Sequence, residues 1–323
     1  MGKKLGLALG SGGARGWAHI GVIRALERAE IPIDYIAGAS IGAFVGAIYA
    51  AGELDELEEF VRDLNWKMIL SLFDVVFPTC GLLDGNKIYD LLTEHLQELC
   101  IEEAGIPFCC VATDLITGKE VQLRSGKMAD AVRASISIPG IFTPLQYEGR
   151  YLGDGGIVNP VPVQVVREMG ADIVIGVNLN HVDPVDLEPQ PEETEVETEV
   201  EETFQRRQRL NATGEVIEEE TNFITRIRKR YRSLQEGIQE KISQWIPDEP
   251  SGPNIFDVIG TTLNVMEQSI TRSILAQYPP DLLLQPKLSQ YSIFDFHEAD
   301  AIIREGYRQM RRAIPELCKK LES

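Results

Sequence analysis

The sequence has few of the residues that build disulfide bonds or metal sites. Its 323 residues include five cysteines and four histidines. Cys109 and Cys110 are adjacent in an apolar run, and no Cys-x-x-Cys pair or metal-ligand spacing occurs. The first apolar stretch is broken at Gly10, so it does not predict a signal peptide. This pattern predicts reduced thiols, a cytoplasmic protein, and no bound metal or other cofactor.

Positive charge is also scarce. The chain has 31 Lys and Arg against 50 Asp and Glu, a net charge of -19. Residues 183–203 hold ten of the acidic residues and no basic one. We interpret that segment as a disordered linker, because it has few large apolar groups. The acidic balance of the remaining chain argues against nucleic acid as a partner.

Long charge-free runs are limited to one stretch of the chain. Residues 35–52 carry no charge, and Gly38, Gly42 and Gly46 recur at the four-residue spacing seen in membrane helices. We interpret this run as a buried strand followed by a buried helix. Gly38 and Ser40 indicate a strand-to-helix switch inside it, and small residues let a central helix pack tightly on a sheet.

The same stretch contains a motif that can carry chemistry. Gly38-Ala39-Ser40-Ile41-Gly42 has the pattern G-x-S-x-G, between a short apolar run and a helix-like run. A serine on a sharp strand-to-helix turn projects its hydroxyl clear of the sheet, and small neighbours allow the strained backbone. The following helix directs amide N–H groups at any negative charge that forms there. The motif indicates either a serine nucleophile or a turn that only packs tightly.

A glycine-rich loop, Gly10-Ser11-Gly12-Gly13-Ala14-Arg15-Gly16, follows the first predicted strand and opens a helix. Its backbone N–H groups could bind an oxyanion, with Arg15 adding charge or fixing the loop. A dinucleotide site also uses glycines between a strand and a helix. Counting G-x-G-x-x-G from Gly10 places Arg15 at the third glycine, which is unfavourable for a dinucleotide. Taken alone, the loop favours phosphate binding slightly over an oxyanion site.

A third element of the pattern is Asp154-Gly155-Gly156, after the short segment Arg150–Gly153. Asp-Gly is most often a turn, but this position also allows a carboxylate at a strand end. A Ser–His–Asp triad needs a histidine, and His19 in the first predicted helix is the candidate nearest the glycine loop. A serine paired directly with a carboxylate base is the alternative.

Strands and helices alternate along the chain, which predicts an α/β fold with a mostly parallel sheet. We expect residues 183–252 to be an insertion between a catalytic core, 1–182, and a C-terminal part, 253–323, that completes it. The predicted strands are 4–9, 35–37, 107–113, 120–123, 171–179 and 281–285. The predicted helices are 15–29, 41–51, 54–64, 66–77, 87–99, 128–137, 255–277 and 296–314.

The second half of the insertion predicts an amphipathic helix at residues 223–246. Its apolar residues follow an eleven-residue repeat, close to the period of a straight helix, and arginines and a lysine crowd its first half. Such a helix could lie on an anionic membrane surface and bring the protein to lipid. Packing on the protein body, with solvated arginines, explains the pattern equally well.

The glycine loop, the serine motif and the Asp-Gly-Gly motif, in this order, resemble the patatin-like phospholipase family. LALGSGGARGWAHIGVIRALE is similar to that family's glycine-rich loop and following helix, GASIG to its nucleophile turn, and DGG to its aspartate motif. ASISIPGIFTP and GGIVNPVPV also resemble family blocks. The resemblance spans residues 4–182 and resumes after the insertion. Where Ser11 stands, the family often has glycine.

The resemblance implies a three-layer α/β/α sandwich and a Ser–Asp dyad hydrolase that needs no histidine. Ser40 would be the nucleophile, and Asp154 the general base. The implied substrates are phospholipid, lysophospholipid or another acyl ester, cleaved through an acyl-enzyme. The remaining site residues would be Gly12, Gly13, Arg15 and Ile41 at the oxyanion site, with Gly38, Gly42, Gly155 and Gly156 completing the motifs. A regulatory or interaction protein with weak or vestigial activity is the alternative function.

Overall fold

A computed structural model describes residues 2–65, 68–69, 81–96, 98–181 and 255–323. The predicted linker at 183–203 and the predicted amphipathic helix at 223–246 lie outside these residues. The predicted helix at 66–77 also lies outside them, apart from residues 68 and 69. The division of the chain into 1–182, 183–252 and 253–323 therefore stays a prediction.

The described residues form an eight-stranded sheet in the order β10-β9-β1-β2-β4-β8-β7, with β5 paired to β4. Strands β10, β9, β1, β2 and β4 run parallel, and β5, β7 and β8 are antiparallel to their neighbours. Strands β3 and β6 form a separate two-stranded sheet. The strands are β1 Leu5–Leu9, β2 Tyr35–Ala39, β3 Gly81–Leu83, β4 Phe108–Asp114, β5 Glu120–Leu123, β6 Gly140–Phe142, β7 Leu145–Tyr147, β8 Arg150–Gly153, β9 Ile173–Val177 and β10 Leu282–Leu284.

Helices cover both faces of the large sheet. They are α1 Ala18–Arg28, α2 Ile41–Ala51, α3 Leu54–Arg62, α4 Asn86–Leu96, α5 Met128–Ser135, α6 Val163–Met169, α7 Ile255–Gln277 and α8 Ala299–Glu322. Short 3-10 helices lie at Gly13–Trp17, Ile101–Glu103 and Gly155–Ile157.

Side chains of β1 alternate between the two faces of the large sheet, and each face packs against its own layer of helices. Leu5, Leu7 and Leu9 point into the larger apolar cluster, which α1, α2 and α8 complete. Ala8 points into the smaller cluster on the other face, with valines of α6 and Leu275 of α7. Gly6 lies on that same face, where a Cβ would meet a methyl of Val166 at 2.1 Å, so α6 can pack close to the strand. The mostly parallel three-layer α/β/α sandwich is confirmed.

The final helix differs from its predicted bounds. The sequence predicts 296–314, whereas α8 begins at Ala299 and continues through Pro315 to Glu322. Proline removes one backbone hydrogen bond. Leu317 beyond it is fully buried, so tertiary packing favours continuing the helix. Helix α8 also lies close against α1, since a Cβ on Gly306 would be 2.0 Å from the Ala18 carbonyl oxygen.

The charge-free run 35–52 is divided, as expected, into strand β2 and helix α2, with Ser40 between them. Among the helices described, none is long and apolar enough to cross a membrane.

Candidate active site

Ser40 occupies a strained turn at the carboxyl end of β2. Its backbone has φ 54° and ψ −125°, a region that non-glycine residues rarely adopt and that costs about 1–3 kcal/mol. The neighbouring glycines make the turn sterically feasible. A Cβ on Gly38 would lie 2.4 Å from the Ala43 nitrogen, and one on Gly42 would lie 2.1 Å from the Leu9 carbonyl oxygen. The tight packing of this turn on β1 therefore maintains the strain.

Ser135 anchors the backbone of that turn. The Ser40 N–H donates to Ser135 Oγ at 2.9 Å, and Ser135 Oγ donates to the Val111 carbonyl at 2.5 Å. Because Ser135 is fully buried at the end of α5, this relay connects Ser40 to β4. Ser135 belongs to none of the three motifs in the sequence. Its only signal there is its position in the block ASISIPGIFTP.

Ser40 and Asp154 are joined directly. Ser40 Oγ donates a hydrogen bond to Asp154 Oδ2 at 2.6 Å, and both residues are at most 5% exposed. Asp154 follows β8 and begins the short 3-10 helix, where its Oδ1 accepts from the Gly156 N–H at 2.7 Å. Thr113 donates to the Asp154 carbonyl at 2.6 Å. The carboxylate is thus held against the serine hydroxyl.

The environment of Asp154 favours a bound proton. Burial raises the pKa of Asp154 most, and the negative charge of Glu267 raises it further. The hydrogen bonds from Ser40 and Gly156 lower it, and the resulting pKa is about 8. A carboxyl group with a pKa near neutrality can take and return a proton at physiological pH, which an ordinary aspartate does poorly.

No histidine joins this pair in the part of the chain that the structure describes. His19 is fully buried, its Nε2 lies 2.8 Å from the Gly10 carbonyl, and burial lowers its pKa to about 4. The hydrogen-bond partners of Ser40 and Asp154 include no imidazole. The described residues also contain no His, Cys, Asp and Glu cluster that could hold a metal ion. The arrangement is a serine–carboxylate pair.

The glycine loop places backbone amides beside Ser40. Gly12 and Gly13 have φ of 154° and 60°, conformations that favour glycine, and both line the same small cavity as Ser40. The amides on either side are occupied, because Ser11 N–H donates to Pro160 and Ala14 N–H to Ile293. Within the described residues, the Gly12 and Gly13 amides donate no hydrogen bond. They are therefore available to an anionic group.

Arg15 is buried and fixes the glycine loop from within. Its Nε donates to the Gly12 carbonyl at 3.2 Å, and its terminal nitrogen donates to the side chains of Asn180 at 2.9 Å and Asn264 at 3.1 Å. Of the two roles that the sequence allowed, the geometry favours holding the loop over supplying a free charge.

The other predicted site residues lie around the same point. Ile41 is the first residue of α2, so its amide has no acceptor within the helix. Gly155 packs on β4, where a Cβ would be 2.1 Å from the Val111 carbonyl oxygen, and the amide of Gly156 orients Asp154. The structure therefore brings together every residue named for the site from the sequence.

A cavity of about 20 Å³ lies over the serine. Helix α7 supplies Leu263, Asn264 and Glu267 to its lining, and none of them was predicted from the sequence. No local motif marks these positions, because they reach the site only through the tertiary fold. The other lining residues are Gly12, Gly13, Ser40, Ile138, Asp154, Ile157 and Ile293.

The sequence matches the family profile described as patatin-like phospholipase over residues 7–167, which include the glycine loop, Ser40 and Asp154. An uncharacterized NTE family protein of Mycobacterium bovis is 34% identical over 322 residues, covering 94% of this chain and 89% of that protein. A lysophospholipase NTE1 of Mycosarcoma maydis is 38% identical over 187 residues, 56% of this chain and 10% of that protein.

Among solved structures, VipD of Legionella pneumophila has a TM-score of 0.44 at 15% identity, over 98% of this chain and 67% of that one. The family profile and the near full-length relative establish the class. The chain belongs to the patatin-like phospholipase family, a family of lipid hydrolases.

Proposed function

We propose that the protein is a serine hydrolase of lipid acyl esters in which Ser40 is the nucleophile and Asp154 the general base. The observation that carries this proposal is the 2.6 Å hydrogen bond from Ser40 Oγ to Asp154 Oδ2 at a strained strand-to-helix turn. Family membership supports the lipid ester as substrate class.

The proposed reaction has two steps. Ser40 Oγ attacks the ester carbonyl carbon while its proton passes to Asp154 Oδ2, and the carbonyl oxygen becomes the oxyanion of a tetrahedral intermediate. This intermediate collapses, the C–O bond to the alcohol breaks, and Asp154 returns the proton to the leaving alkoxide. Water then attacks the acyl-enzyme, giving its proton to Asp154, and the second collapse releases the carboxylic acid and restores the Ser40 hydroxyl.

The amides of Gly12, Gly13 and Ile41 are the proposed donors to the oxyanion. Preorganised donors at this position stabilise charge that develops only in the transition state, and one such donor is typically worth about 3 kcal/mol. Arg15 acts indirectly in this proposal, because its bond to the Gly12 carbonyl fixes the orientation of the loop amides.

The proposed substrate is a phospholipid, a lysophospholipid or another acyl ester. Ile138, Ile157, Leu263 and Ile293 give the cavity an apolar lining that suits an acyl chain. The relative from Mycosarcoma maydis is named a lysophospholipase, which supports the lysophospholipid among these. A cytoplasmic location, with membrane contact through residues 223–246, remains part of the proposal.

The small size of the cavity favours the alternative function, a regulatory or interaction protein. A space of about 20 Å³ holds about one water molecule and no acyl chain, as expected of a regulatory protein with weak or vestigial activity. Turnover distinguishes the two functions, because a vestigial site would neither hydrolyse lysophospholipid nor react with a fluorophosphonate.

The test uses Ser40→Ala and Asp154→Asn, with Ser125→Ala as a matched control on an exposed loop. Both site variants should lose at least about a thousandfold in kcat/KM on lysophospholipid, and Ser40→Ala should lose all fluorophosphonate labelling. The control should match the wild type. Full activity in purified Ser40→Ala would refute the proposed nucleophile.

A further inference from the structure

Helix α7 forms one wall of the cavity over Ser40 and Asp154. Its residues Leu263, Asn264 and Glu267 lie on the cavity side of the helix, opposite the glycine loop. The free space of about 20 Å³ is close to the size of one water molecule. An ester is larger than this space, so its binding requires a wall of the cavity to move. Residues 258–270 of α7 form one such wall, and we call them the roof.

A cluster of polar side chains joins the roof to the glycine loop. Glu267 Oε2 accepts hydrogen bonds from Ser11 Oγ at 2.8 Å and from Asn180 Nδ2 at 2.5 Å. One turn earlier in the helix, Asn264 Oδ1 accepts from the Arg15 guanidinium at 3.1 Å. Burial raises the pKa of Glu267, whereas the hydrogen bond from Ser11, the charge of Arg15 and the hydrogen bond from Asn180 oppose this shift and stabilise the carboxylate.

Apart from these hydrogen bonds, the roof buries little of its surface against the rest of the protein. Among residues 258–277, only Gly260 and Thr271 are buried, and Val265 is 61% exposed. By contrast, α8 buries Ile302, Ile303, Tyr307, Met310 and Leu317 in the main core. A helix that buries little apolar surface detaches at low free-energy cost. The hydrogen bonds at Glu267 are therefore a large part of what keeps the roof closed.

We propose that Glu267 is a positioning residue that, through Ser11 and Asn180, latches α7 over Ser40, and that this latch opens to admit the acyl ester. The inference rests on the proposed function, since it concerns access to the same nucleophile. The latch acts through the roof and touches neither Ser40 nor Asp154 by a hydrogen bond.

Two variants weaken the latch in different ways. Ser11→Ala removes one hydrogen-bond donor to Glu267 and no other atoms than the hydroxyl group. Glu267→Gln keeps the shape of the side chain and removes its charge. Thr262→Ala is the matched control, because Thr262 lies on the exposed side of the same helix and donates only to the Val258 carbonyl.

The first measurement is amide hydrogen exchange of the whole protein, which is independent of any activity. Amides of residues 258–270 should exchange about 3- to 10-fold faster in both latch variants than in the wild type, as expected for the net loss of about one ordinary hydrogen bond. The Thr262→Ala control should exchange as the wild type does. Unchanged exchange of the roof in both latch variants would overturn the proposal.

The second measurement is the rate at which a fluorophosphonate labels Ser40. A weakened latch should raise the second-order rate constant by about 3- to 10-fold, whereas ordinary damage to the site would lower it. Faster exchange together with slower labelling would show that the roof is not the barrier to access. If the wild type is not labelled at all, the proposed function fails, and the exchange result still decides whether Glu267 latches the roof.

Discussion

The pKa of Asp154 predicts how the rate of the proposed reaction depends on pH. Burial and the nearby Glu267 raise this pKa to about 8. A general base must be ionised before it can accept the serine proton, so the reactive form is the one that dominates above this pKa. Reactivity of Ser40 should therefore rise with pH and level off above about pH 9.

The size of the effect follows from that value. With a pKa of about 8, Asp154 is about 9% ionised at pH 7 and about 91% ionised at pH 9. The rate constant should accordingly increase about tenfold between these two pH values, and below pH 7 it should fall about tenfold per pH unit. An ordinary aspartate would give a flat profile over the whole range, because it is ionised throughout.

The second-order rate constant of fluorophosphonate labelling between pH 5.5 and 9.5 measures this titration in the free enzyme. The labelled adduct is counted on the intact protein, with Ser40→Ala as the blank at every pH. A profile flat from pH 6 to pH 9 would refute the assignment of a raised pKa to the base.

Glu267→Gln separates the electrostatic effect from the effect of the roof. Removing the negative charge beside Asp154 lowers the pKa of Asp154, so the midpoint of the profile should move to lower pH. Loosening the roof raises the plateau above pH 9 and, by reducing the burial of Asp154, also moves the midpoint to lower pH. Ser11→Ala keeps the charge at position 267, so its midpoint should shift less than that of Glu267→Gln.

Two further predictions concern the turn at Ser40. Gly38→Ala would place a Cβ 2.4 Å from the backbone of Ala43 and Gly42. It should therefore lower the free energy of urea unfolding by about 3 kcal/mol or more. A loss below about 1 kcal/mol would contradict the close packing. Ser135→Ala leaves the buried Ser40 amide without an acceptor, which should cost about 1–3 kcal/mol in unfolding and also lower kcat, with Ser125→Ala as the unaffected control. Unchanged stability and kcat in Ser135→Ala would show that the turn does not need this anchor.

The central part of the site could be predicted because its geometry is local. A serine between small residues at a strand-to-helix switch specifies its own turn, and the structure places Ser40 there with positive φ. The glycine loop and Asp154 likewise follow directly after strands β1 and β8. Because β1 and β2 run parallel, their carboxyl ends meet at one edge of the sheet. Strand β8 is antiparallel and reaches the same place because Leu152 and Gly153 pair with Asp114 and Thr113 at the end of β4.

Contacts that depend on distant packing could not be predicted in the same way. Glu267 lies 256 residues from Ser11, and no spacing in α7 distinguishes this glutamate from a solvated one. Ser135 reads as an ordinary small residue near a helix end. Their roles depend on how α7 and α5 are oriented against the sheet, which the sequence pattern of either helix does not determine.

The short elements were missed for a different reason. Helix α6 has the sequence VQVVREM, whose β-branched valines are more typical of strands. It forms a helix because Gly6 and Ala8 of β1 leave room for it on the second face of the sheet. Strands β3, β6 and β7 have three residues each, too few to show a period.

Ser11 connects the local and the distant parts of the site. A serine where the family often has glycine raises the question of whether the loop needs positive φ at that position. Within the described residues it does not, because Gly12 and Gly13 adopt the positive φ values, while Ser11 is not among the non-glycine residues that do. Its hydroxyl is instead bound to Glu267 of α7. The serine thus leaves the conformation of Gly12 and Gly13 in place and connects the glycine loop to helix α7.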